Sequence, residues 1–162
     1  MKKIKSTMLL FSLLVVSLGA CKKDDNDSVK EEVFSSGLTF KLDGATKKST
    51  LVVCVKDEEV QGEESLGLVA SIGNSESLTI AFDGVPTVGN YNVADNENVV
   101  VAYQNGSNPA TDIYVGETGT VKVTSISDKE IKGTFEISAE NSGEATKTIS
   151  EGKFSAKIVD AD

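Results

Sequence analysis

Residues 119–137 read GTVKVTSISDKEIKGTFEI, and the order of apolar and polar side chains in this stretch decides the fold class. Val121 and Val123 fall on one side of an extended chain, with Lys122 and Thr124 on the other. After Ser127-Asp128-Lys129, a cluster of turn formers, Ile131, Gly133, Phe135 and Ile137 share a side again. The period is two. That is the signature of a half-buried β-strand, since successive side chains in a strand point to opposite faces.

The same alternation extends in both directions. Upstream, Leu38, Phe40 and Leu42 alternate with Thr39 and Lys41, and Asp43-Gly44 turns the chain. Residues 51–55 are a β-branched run, and Leu66, Leu68, Ala70 and Ile72 alternate before Gly73-Asn74. Leu78, Ile80 and Phe82 precede Asp83-Gly84, residues 99–103 form a short apolar strand, and residues 113–115 another. Downstream, Ile149 precedes a predicted turn at Glu151-Gly152, and Phe154, Ala156 and Ile158 close the chain. Turn signals recur about every 8–12 residues and no amphipathic helix follows residue 21. The expectation is an all-β domain over residues 37–162, an antiparallel sandwich or flattened barrel. One-sided alternation argues against a parallel sheet covered on both faces. A domain of about 125 residues buries about two-thirds of its unfolded surface and needs no disulfide.

Composition narrows function mainly by exclusion. The 162 residues carry 16 lysines, no arginine, no histidine and no tryptophan, against 25 Asp and Glu. Imidazole-based triads, HExxH zinc sites and His-anchored haem are therefore excluded within this chain. The net charge of −9 lacks the basic footprint that nucleic acid requires. No cofactor motif is present.

Residues 1–20 have the layout of a secretory signal peptide. Lys2, Lys3 and Lys5 precede an apolar run over residues 8–18, and the small Gly19 and Ala20 follow. The run is too short to span a bilayer core, which takes roughly 20 apolar residues. Leu18-Gly19-Ala20-Cys21 resembles the lipobox of bacterial lipoproteins. The resemblance implies a diacylglyceryl group on Cys21, cleavage before it, and usually acylation of the new amino group. Its recognition residues would be Leu18, Gly19 and Ala20. Anchoring of this kind needs two or more acyl chains, at about 0.8 kcal/mol per buried methylene. The mature chain would keep 13 lysines against 25 acids, a net −12, so lipid and not charge would hold it to a membrane.

Residues 21–36 are polar and highly charged and read as a lipidated N-terminus with a flexible acidic tether, roughly 20 Å in r.m.s. span. Lys23-Asp24-Asp25 resembles the export signal of Bacteroidota surface lipoproteins. This implies the outer membrane with the chain facing outward, the periplasmic face being the other location. Asp27-Ser28-Val29 resembles the O-glycosylation site of that phylum, with Ser28 as acceptor. An EF-hand beginning at Asp24 fails, because Val29 stands where Gly is required and Ser35 where a bidentate Glu is required.

The segments LTFKLDG (38–44), GNY (89–91), GTVKV (119–123), IKGTF (131–135) and ISEGKF (149–154) look like a family of Bacteroidota lipoproteins of unknown function. This chain departs from it in the first hairpin, where Lys47-Lys48 stand in place of an aromatic. The family supplies no catalytic residues.

Within the domain, Cys54 reads as a small buried apolar residue, not as a reactive thiol. Tyr103 and Tyr114 flank one loop and read as half-buried strand residues or a rim. Asp57, Glu58, Glu59, Glu63, Glu64, Asp95 and Glu97 fall in loops, as a solvated surface does. Asp95 and Glu97 form a weak Ca²⁺ pattern. The expected function is non-catalytic: a lipid-anchored binding or accessory module. Its partners would be the membrane and the lipoprotein processing and export machinery, and its ligand is unassigned. The alternatives are a hydrolase using paired carboxylates, or a calyx holding a small apolar ligand.

Overall fold

A computed structural model describes residues 36–57, 64–95 and 98–161. The described residues form ten strands: β1 (Gly37–Leu42), β2 (Ala45–Ser49), β3 (Leu51–Asp57), β4 (Ser65–Gly73), β5 (Glu76–Asp83), β6 (Gly89–Asn92), β7 (Val99–Asn105), β8 (Ile113–Ile126), β9 (Glu130–Glu140) and β10 (Thr146–Asp160). The helical content among them is one 3₁₀ turn, Val93–Asp95.

Strands β3, β4, β5, β7, β8, β9 and β10 close into a ring, with β1, β2 and β6 as additions. The barrel form of the expected architecture is the one adopted, with one amendment. Six of the ring's contacts are antiparallel, and β3 runs parallel to β10 through Cys54–Ile158, Val55–Val159 and Lys56–Asp160. Parity explains this. Up and down strands can alternate around a closed ring only if their number is even, so a ring of seven must contain one parallel pair.

The parallel contact is short because β10 shares one side between two partners. Its earlier part, Ile149 to Ser155, pairs with β1, and its last residues pair with β3. The β1–β2 hairpin thus fills the wedge between β10 and β3. Asp43 and Gly44, both at positive φ, make the two-residue turn that the Asp-Gly sequence favours. β8 is divided likewise, with β7 against its start and β6 against its middle.

The inward positions form one core. β9 supplies Ile131, Phe135, Ile137 and Ala139, with Gly133 among them, all buried and all two residues apart. Rings interlock across the interior: Phe40 lies 6.2 Å from Tyr103 and 6.1 Å from Phe135, and Phe135 lies 6.3 Å from Phe154. The barrel is filled by side chains, which leaves the calyx reading without support. Truncating a ring such as Phe135 to Ala costs about 3–5 kcal/mol.

Several predicted boundaries differ from the structure: Asp57, expected in a loop, ends β3, and β2 and β6 form where no strand is expected. Residues 113–126 are one strand, and Glu151-Gly152 is not a turn. It is a bulge inside the 15-residue β10. Ile149 and Phe154 both point inward although five residues apart, and the extra residue at the bulge, with Glu151 at φ 53°, makes this possible.

Gly133 is required by close approach. A Cβ there would lie 2.3 Å from the Lys122 carbonyl oxygen and 2.3 Å from Cζ of Phe154. Gly133→Ala is expected to destabilise the barrel by about 1–3 kcal/mol in urea unfolding, through overpacking. Gly143→Ala, whose Cβ meets Asn141 at an ordinary 3.5 Å, is expected to stay within about 0.5 kcal/mol of the parent.

Candidate functional site

Leu18, Gly19, Ala20, Cys21, Lys23, Asp24, Asp25 and Ser28 lie outside the described residues, as do Glu58, Glu59, Glu63 and Glu97. Asp95 ends the 3₁₀ turn. Among the described residues, no group of three or more His, Cys, Asp or Glu side chains is placed to hold a metal ion.

Cys54 sits on β3, beside Ile158 of β10 and Leu68 of β4, and is fully buried. Burial pushes its thiol up to about 12. The thiolate is the nucleophile, so this sulfur is inert while the barrel is closed.

The polar side chains gather at one end of the barrel, the upper end, where β1–β2, β4–β5, β7–β8 and β9–β10 are joined. The register between β5 and β7 puts Leu78 opposite Tyr103 and Glu76 opposite Asn105. The inward-facing Tyr103 ring is fully buried, and its hydroxyl donates to Oε1 of Glu76 at 2.6 Å. Lys47, paired with Phe40 across the first hairpin, reaches the same carboxylate, with Nζ 2.8 Å from Oε1 and 3.1 Å from Oε2. Tyr114, half-buried, lies 6.2 Å from Tyr103 between ring centroids. Lys147 stands 5.8 Å over the Tyr114 ring and donates to Oδ2 of Asp43 at 2.8 Å. Oδ1 of Asp43 accepts from the Thr148 amide at 2.9 Å. Two ion pairs and two tyrosines from six segments therefore share one mouth.

The two tyrosines singled out in the sequence do come together here, one buried and one at the rim. Sequence reasoning missed Glu76, Lys47, Asp43 and Lys147. The one available signal was parity: Lys47 faces inward in register with Phe40, an unusual place for a lysine unless a carboxylate waits there.

The charges set each other's acidity. Burial alone would raise the Glu76 carboxyl, but the hydrogen bonds from Lys47 and Tyr103 together hold it below its ordinary value of 4.5. The Lys147 ammonium, then the Thr148 amide, hold Asp43 below 3.8, and Lys147 is raised in return by Asp43. Tyr103 is raised by burial, then by its acceptor Glu76. Every shift favours the state each group already holds at neutral pH. A general acid needs the reverse, a carboxyl raised toward 7. The arrangement locks the mouth and does not prepare proton transfer.

At the opposite, lower end, Glu64, Asp83, Gly84 and Val85 line an open hollow of about 440 Å³. Glu64 is taken up by Lys56 at 2.9 Å.

The locked mouth makes acid and alkaline stability testable. Asp43 and Glu76 have lowered folded values, so their contribution is complete above pH 4.5 and is lost as pH falls below it. Tyr103 and Lys147 are raised, so theirs is complete below pH 10.0 and is lost as pH rises beyond it. Glu76→Gln is expected to flatten the acid limb of the urea midpoint against pH. Tyr103→Phe is expected to cost about 1 kcal/mol at pH 7. Cys54 is expected to react with a maleimide only at the rate of global unfolding, measured by mass spectrometry across a urea series.

A search of curated proteins and a search of solved structures each return no match. One family model matches residues 56–156, well over half of the chain, and its span runs from the end of β3 to the bulk of β10. The chain therefore belongs to the DUF6252 family, a domain of unknown function.

Proposed function

We propose that this protein is a lipid-anchored outer-membrane protein, facing outward, whose barrel acts by binding or as an accessory module and not by catalysis. The observation that carries the reading is Leu18-Gly19-Ala20-Cys21 at the end of the apolar run over residues 8–18. Lys23-Asp24-Asp25, one residue beyond the cysteine, supports the outward location. The membrane, through the lipid, and the processing and export machinery are its first partners.

The structure supports the non-catalytic part through its charges. Asp43 and Glu76 are tied to lysines and pushed toward stronger acidity, which disfavours the carboxylate hydrolase. The packed interior disfavours an apolar guest. What remains for a partner is the outside of the barrel and its mouth. The chain enters β1 opposite Ser155, in the lower half of β10 and away from the upper mouth.

Metabolic labelling with an alkynyl fatty acid is expected to mark the wild-type chain and to leave Cys21→Ala unlabelled; label on the variant would overturn the anchor. Protease added to intact cells is expected to release the barrel, whereas complete protection would assign the chain to the periplasmic face.

A further inference from the structure

Lysines are unevenly placed on the outside of the barrel. Strand register lines up Lys122 of β8, Thr134 of β9, Lys153 of β10, Thr39 of β1 and Lys48 of β2 in one outward row. The next row toward the lower end is Ser125, Lys132, Ser155 and Gly37, and below it Glu130 faces Lys157. These rows hold five lysines and one acid, in a chain with 16 lysines and 25 acids. Lys132 is taken up by Glu130 at 3.0 Å. Lys48, Lys122, Lys153 and Lys157 are exposed and form no ion pair with any described acid. Elsewhere Lys41, Lys47, Lys56 and Lys147 are each matched to a carboxylate. The excess is confined to the lower half of the wall. Its upper half carries Glu117, Glu136, Glu140 and Glu151 against Lys41, and in the β8–β9 turn Lys129 is offset by Asp128. The chain also joins the barrel on this lower half, where the hydroxyl of Ser36 accepts from the Lys157 amide at 3.3 Å.

We propose that this lysine half-wall is a membrane-facing surface, seated on anionic lipid head groups, with the upper mouth tilted away. The pose rests on the lipid anchor proposed above. The anchor holds the protein, and the lysines orient it. Chain entry selects the membrane over other anions, because the half-wall that carries the connection to the anchor is the one the anchor draws onto the surface.

The overall net charge of −9 does not oppose this. Screening limits each surface charge to about 8 Å at physiological salt. The far wall lies roughly 10 Å behind the near one, backbone to backbone, with its side chains further out. Head groups therefore sense the near wall alone. A barrel resting on a plane meets it along a few neighbouring strands, and β8, β9 and β10 bring Lys122, Lys132, Lys153 and Lys157 there against Glu130. Each lysine near an anionic surface favours contact by roughly fivefold. Thr134 and Ser155, set among the lysines, carry hydroxyls that can donate to phosphate oxygens.

The test uses the full chain extracted from cell envelopes and reconstituted with vesicles, either pure phosphatidylcholine or phosphatidylcholine mixed with phosphatidylglycerol. A fluorophore is placed on Thr124→Cys, exposed beside Lys132, or on Val69→Cys, 40% exposed on β4 across the ring, and is quenched by head-group-labelled lipid. In the anionic vesicles quenching at Thr124→Cys is expected to exceed that at Val69→Cys by at least about threefold. The ratio is expected to fall toward one in pure phosphatidylcholine, in about 1 M salt, and in Lys122→Gln with Lys153→Gln and Lys157→Gln at an unchanged thermal midpoint. Equal quenching from the two walls, a preference that survives the three glutamines, or a photocrosslinker at Thr124→Cys that captures a protein and not lipid in intact cells would overturn the proposal. Flotation separates it from the anchor. A chain that floats at low salt with anionic vesicles but not with pure phosphatidylcholine lacks the anchor and keeps the lysine surface, whereas one that floats with neither overturns both.

Discussion

Cys54, Val55 and Lys56 of β3 lie alongside Ile158, Val159 and Asp160 of β10, and this three-residue parallel contact closes the barrel. Without it the remaining strands would form an open sheet with β3 as a bare edge, ready to pair with other chains. The contact is brief, and neighbouring elements reinforce it. The amide of Ala161 donates to the Lys56 carbonyl at 2.9 Å, extending the pairing by one bond. Above it the β1–β2 hairpin is wedged between β10 and the start of β3. Phe40, carried on that hairpin, packs against Phe135 of β9 and Tyr103 of β7 and ties the wedge to the far wall. Closure, wedge and aromatic interior are joined by direct contacts.

The mouth cluster follows from the same arrangement. Lys47 and Asp43 belong to the hairpin, Glu76 to β5, Tyr103 to β7, Tyr114 to β8 and Lys147 to β10. Only a closed ring brings these six residues to one rim. Asp43 and Lys47 precede residue 56, where the match to the DUF6252 family begins, and the other four residues fall inside it. The hairpin thus completes a site whose other half lies within the family's span. Each ion pair is partly exposed and individually modest. The buried Tyr103 hydroxyl gives the cluster its weight, since an unsatisfied buried hydroxyl costs about 1–3 kcal/mol.

Much of the fold was legible in the residue pattern, and the parts that were not have identifiable causes. β9 was plain because its inward positions, Ile131 through Ala139, never break step. In the sequence β10 reads as a turn followed by a strand, because its bulge changes parity between Ile149 and Gly152, and a parity change looks the same as a chain reversal. The parallel closure was hidden for a different reason. It is a consequence of counting strands around a ring, and no local pattern carries that count. The mouth cluster depends on long-range register, 27 residues from Glu76 to Tyr103 and 104 from Asp43 to Lys147, so sequence proximity gave no sign of it. Cys54 as an inert core residue was readable directly from its β-branched neighbours. The lipidation and export motifs lie outside the described residues and rest on sequence alone.

Ring closure is the claim on which the rest stands, and cross-strand nuclear Overhauser contacts in the isotope-labelled protein test it most directly. The account predicts parallel-type contacts linking residues 54–56 to residues 158–160, together with slow exchange of the Ala161 amide. Absence of those contacts, with fast-exchanging amides along the side of β3 that faces away from β4, would mean an open sheet and would contradict it.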